Sequence, residues 1–177
     1  MTHEQKVAHH EAAHVAVSRA LGGSAQPEGI DLNAESSVPG AYGRAMASVF
    51  PDNPTGTDIE RREALFDSLV AICAGAASDA KIEGISLREA LERQPGDKSE
   101  ALKLLDSSPL IEKPEEKIAL LDRALERAAD YLNSPIVGKA VEEIAQATLK
   151  AGGRLDGAEI ESIWTRVKDD GSKAETK

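Results

Sequence analysis

The sequence predicts a mainly α-helical chain of the α+β class, with one small β element between its first two long helices. Three observations carry this expectation. Aromatic residues make up only 3% of the 177 residues. The core must therefore be built from Ala, Leu, Ile and Val, which favour closely packed helices. Apolar residues recur at steps of three and four over most of the chain. Gly, Pro, Ser and Asn concentrate in one region, residues 24–56, where that period is lost.

The first helix is expected over residues 3–21, where Val7, His10, His14, Val17 and Leu21 mark one face. Thr2 can cap its start, and the Gly pair at 22 and 23 ends it. Two runs of strand-like composition follow, "EGIDLNAE" and "RAMASVF", separated by the turn-rich "SSVPGAYG". Thr57 and Glu60 form a capping box that opens a long helix. Ile59, Leu65, Leu69, Ile72 and Cys73 lie on one side of it. The small run Ala74, Gly75, Ala76, Ala77 permits close approach of another element, and Gly84 closes the helix. After the short amphipathic "SLREALER" the chain is expected to break at "QPGD". Helices then follow in "DKSEALKLLDS", "KPEEKIALLDRALERAADYLNS", "PIVGKAVEEIAQATLKAGG" and "DGAEIESIWTRV". Residues 1–167 read as one domain with no internal repeat, and the polar 168–177 as a disordered tail.

Composition narrows the function classes. A net charge of -10 argues against nucleic acid and anionic membrane surfaces, both of which need clustered Lys and Arg. No stretch approaches the roughly 18 apolar residues of a membrane span, and the N-terminus lacks the pattern of a signal peptide. The single cysteine, Cys73, cannot form an internal disulfide and sits in an apolar run, as a small core residue would. These features point to the cytoplasm. Trp164 reads as core packing.

The chemistry is concentrated in "KVAHHEAAHVAV", residues 6–17, which holds three of the four histidines. His10, Glu11 and His14 form H-E-x-x-H. Residues four apart on a helix lie one turn apart on the same face, about 5.4 Å along the axis. Both imidazoles can therefore reach one ion, with Zn–N of about 2.0–2.1 Å. Glu11 lies about 100° round the helix, so its carboxylate can approach a water at the metal without ligating the metal. This is why the pattern reads as a zinc peptidase site. The face it shares with Val7, Val17 and Leu21 turns the pair inward, where unshared imidazole nitrogens would be costly. His9 reads as a solvated neighbour, and His3 lies in a fraying end. A catalytic zinc needs a third protein ligand. The longer pattern H-E-x-x-H-x-x-G-x-x-H would supply a third His, but Val17 stands in its Gly position and Ala20 in its last His position, so an Asp or Glu must serve, and the residues alone do not choose among 31 acids.

Beyond these residues, "HHEAAHVAV", "LVAICAGAASDAKIEG" and "PGDKSEAL" occur in the order and approximate spacing of three segments of the FtsH-type peptidase domain, a family of ATP-dependent zinc metalloproteases. The chain resembles that family over residues 5–167. The resemblance implies His10 and His14 as zinc ligands, Glu11 as catalytic base and Asp97 as third ligand, with Glu100 the alternative. Asp97 also fits an N-cap, because it precedes a helix and has Glu100 three residues on. Asp79 falls where the family has an acid and can orient a ligand histidine. The chain departs in Ala13, where the family has Gly, and in Ala76, where it has Arg. It carries no G-x-x-x-x-G-K-[ST], so the match is to the peptidase part without the ATPase motor.

The expectation is thus a zinc metallopeptidase acting on peptides or unfolded chains, either stand-alone, as a homo-oligomer, or beside a separate ATPase partner. The alternative is a non-enzymatic, peptidase-like metal-binding or adaptor module.

Overall fold

A computed structural model of the chain describes residues 1–35, 42–47 and 56–174. In order along the chain these form α1 (His3–Ala20), β1 (Ala25–Glu35), β2 (Tyr42–Ala47), α2 (Asp58–Glu83), α3 (Leu87–Glu92), α4 (Pro95–Ser107), α5 (Pro114–Asn133), α6 (Pro135–Lys150), β3 (Arg154–Leu155) and α7 (Gly157–Ala174). The fold is mainly helical, with a small antiparallel element between the first two long helices, as the composition predicts. The strand order is β2-β1-β3. Two-residue β3 is too short to leave a period in the sequence, and it pairs through Ile30–Leu155 and Asp31–Arg154. Gly29 makes this approach possible. It has φ +62, and a Cβ there would meet the Leu155 carbonyl oxygen.

Local signals set most boundaries. Thr2 and Thr57 cap α1 and α2 through reciprocal boxes with Gln5 and Glu60. Each box satisfies two amide groups that the helix start leaves without partners. Gly84, left-handed with φ +68, ends α2. Ser134 ends α5 and caps α6 by accepting from the Val137 N–H.

α1 lies at the centre, packed against α2, α6 and the β element, while α2 packs in turn on α5. Val15, Val17, Leu69, Val70, Leu125, Ile144 and Ile160 are fully buried. Each such side chain contributes roughly 1.5–3 kcal/mol by leaving water. Cys73 and Trp164 are buried in the same core, as expected.

Several expectations need correction. Ile59 is 70% exposed, because the first turn of α2 precedes the part of the helix that reaches the core. α4 begins at Pro95 rather than Asp97. Proline is well suited to a first helical position, so "QPGD" interrupts the helices only at Gln94. Residues 168–174, expected in a disordered tail, continue α7, where Gly171 lets the helix lie close against Ile136. Of the turn expected at 36–43, Tyr42 and Gly43 instead begin β2, and residues 36–41, like the end of "RAMASVF" at 48–50, lie outside the described residues. Among the described residues no helix is long and apolar enough to cross a membrane.

Candidate metal centre

α1 runs through the interior with Ala8, Ala12, Ala13, Val15, Ala16 and Val17 fully buried. His10 and Glu11, 7% and 5% exposed, are carried inward with them. His14 follows one turn later. The two rings meet edge to face with centroids 4.9 Å apart.

The outer nitrogen of each ring is fixed by an acceptor on α2. His10 Nδ1–H donates to Asp79 Oδ2 at 2.9 Å, and His14 Nδ1–H donates to the Ala71 carbonyl at 2.9 Å. A carboxylate and a carbonyl only accept, so in each neutral ring the proton sits on Nδ1 and the lone pair on Nε2. The two Nε2 atoms face one another at 3.2 Å. Asp97 Oδ2, from the first turn of α4, lies 3.3 Å from His10 Nε2 and 3.5 Å from His14 Nε2. Three electron-rich atoms therefore surround one point.

These residues fit a metal ion on three independent grounds. Asp97 Oδ2 is buried without a hydrogen-bond partner, a costly arrangement unless a cation answers it. Ligand atoms at about 2.0–2.1 Å from a tetrahedral ion stand about 3.3–3.4 Å apart, which matches the three separations above. The third ground is Gly75. A Cβ at this position would lie 2.4 Å from Nε2 of both rings, so the absence of a side chain on α2 keeps the space in front of them clear. Among the described residues His10, His14 and Asp97 form the group able to hold an ion.

The electrostatics follow from burial and crowding. Burial alone would lower the pKa of both histidines. In His10 the hydrogen bond to Asp79 and the nearby negative charge of Asp97 outweigh it and hold the ring well above the ordinary value. In His14 the charge of Asp97 does the same. Burial would raise Asp97, but the charge of His14 and the approach of His10 hold it far below the usual carboxylate range. Glu11 is raised, chiefly by burial; the two rings and a hydrogen bond from the Ala45 backbone of β2 only partly offset this.

The sequence-based assignments fall out as follows. His10, Glu11, His14 and Asp97 are brought together, although α1 and α4 are far apart in the chain. Asp79 holds His10 from behind, as its position suggested. Glu100 is exposed on α4 and takes no part. Asp97 is not an N-cap: Gln94 holds that position, and Asp97 lies in the first turn, where the helix dipole favours a carboxylate. His9 is not solvated. Its side chain is 13% exposed, Nδ1 faces the Gln5 carbonyl at 2.8 Å, and Nε2 meets Glu142 of α6 at 3.0 Å. The packing of α6 against α1 covers it. Sequence reasoning missed Gln94, which donates to Asp79 at 2.5 Å. Gly75 it noticed only as a small residue. Matching the chain against protein-family models and against curated proteins found no relative.

Proposed function

We propose that the chain is a zinc metallopeptidase that hydrolyses peptide bonds in peptides or unfolded polypeptides, with Glu11 as general base. The reading is supported above all by one juxtaposition: two imidazole lone pairs and an unpartnered carboxylate oxygen converge beside a second buried carboxylate that ligates nothing. A purely structural zinc site has four protein ligands and no use for a base. Two nitrogens and one oxygen suit zinc, which takes both ligand types. The resemblance to FtsH-type peptidase domains favours the same assignment of His10, His14, Asp97 and Glu11.

The chemistry zinc supplies at such a centre is Lewis acidity toward water and the scissile carbonyl. The remaining work falls to the chain. His10 and His14, each locked at Nδ1, keep Nε2 free for ligation. Asp97 brings one negative charge, leaving the centre cationic. Glu11 takes a proton from the attacking water at its carboxylate and returns it to the leaving amine. Its raised pKa suits both halves of that cycle, because a base poised nearer neutrality also serves as an acid. β2 lies at one edge of the sheet and supports Glu11 through Ala45, so an extended peptide added along this edge would pass the base.

Short or already unfolded substrates need no unfolding force, whereas a folded substrate would need one supplied by an ATPase. The chain's single buried thiol suits a reducing, cytoplasmic setting. The test is hydrolysis of a fluorogenic unfolded protein by zinc-loaded wild type and Glu11→Gln. Chelator-sensitive turnover is expected in wild type. In Glu11→Gln we expect a fall of at least about 100-fold with zinc content unchanged. Turnover undiminished in Glu11→Gln would remove the mechanism. A zinc-loaded wild type with no hydrolysis would favour an adaptor role.

A further inference from the structure

The proposed centre joins two parts of the chain: α1 supplies the histidines, and the distant α4 supplies Asp97. What sets the distance between them is not a ligand. Gln94 is the N-cap residue of α4, three residues before Asp97, and its carbonyl accepts from the Lys98 N–H at 3.0 Å. Its side chain makes no cap bond. By contrast, Thr2, Thr57, Ser86 and Ser134 all cap their own helices. Glutamine is a poor capping residue in any case. Instead Gln94 Nε2–H reaches across to α2 and donates to Asp79 Oδ2 at 2.5 Å. The same oxygen accepts His10 Nδ1–H.

We propose that Gln94 is a positioning residue for the metal centre. Resting on the zinc reading above, it ties the first turn of α4, and so Asp97, to the oxygen that orients His10. One carboxylate oxygen then references both halves of the site. The bond from Gln94 keeps that oxygen aimed at the ring, and its backbone holds Asp97 in place through the first turn of the helix. A change in Gln94 alters ligand geometry without removing a ligand.

The discriminating pair is Gln94→Met, which keeps length and loses the donor, and Gln94→Lys, which keeps a donor. Zinc affinity is measured by chelator competition, and the visible absorption of the cobalt-loaded protein reports coordination geometry. Gln94→Met is expected to bind zinc about 10-fold more weakly, with an altered cobalt spectrum, as for other groups that orient metal ligands. Gln94→Lys is expected to stay within about 3-fold of wild type with its spectrum preserved. Wild-type affinity and spectrum in Gln94→Met would overturn the proposal. So would equal weakening in both variants, since the donor would then be irrelevant. Should Gln94→Met fail to fold, a lost spectrum in folded Gln94→Lys decides against it alone. A wild type that takes up neither zinc nor cobalt would instead defeat the metal reading itself, and this inference with it.

Discussion

A methyl group at position 75 would sit 2.4 Å from Nε2 of both His10 and His14. Carbon and nitrogen do not approach so closely without a bond, so the rings would have to part. The same exchange removes a glycine from the interior of α2, where alanine is favoured by about 1 kcal/mol. The two effects oppose each other in stability but not in metal binding. Gly75→Ala is therefore expected to keep its helix content and lose zinc, from about one ion per chain to a small fraction of that. Circular dichroism beside metal analysis after dialysis checks this. A fully zinc-loaded Gly75→Ala protein would show that α2 does not border the ion.

At the scale of elements, legibility in the sequence depended on whether a signal was local. His10 and His14 lie one turn apart on one helix, so the period of α1 placed them on a single inward face; Glu11 lies off that face, and its burial comes from the elements packed around α1. Asp97 was found only through its resemblance to a family segment, because no local pattern distinguishes it from 30 other acids. The N-cap Thr2, the capping box at Thr57 and the terminal Gly84 marked helix ends because each acts within a few residues. β3 escaped notice, since its two residues exist as a strand only by pairing with β1. The burial of His9 is hidden from the sequence for a related reason. Its neighbour Glu142 is 133 residues away, on a helix whose packing cannot be read from α1 alone. Gln94 left one faint sign, an unsuitable residue in the capping position before Pro95.

At the scale of the whole molecule, the centre links folding, protons and metal. His10 and His14 are raised above their ordinary value of 6.5. In zinc-free protein their contribution to stability is fully present below about pH 6.5 and is lost as pH rises through the raised values. Zinc requires both rings neutral, so protons compete with it and acid expels it. The stabilisation added by zinc, RT ln(1 + [Zn]/Kd), therefore grows with pH. Melting curves with and without zinc are expected to separate progressively between about pH 6 and about pH 8. A gap that narrows with rising pH would mean that these histidines are not the site of competition.

The most direct test of the centre is the zinc K-edge X-ray absorption spectrum of the loaded wild-type chain. The arrangement of His10, His14 and Asp97 predicts only nitrogen and oxygen neighbours at about 2.0–2.1 Å, with the outer-shell scattering of two imidazoles. A sulfur neighbour at about 2.3 Å, or fewer than two imidazoles, would contradict it.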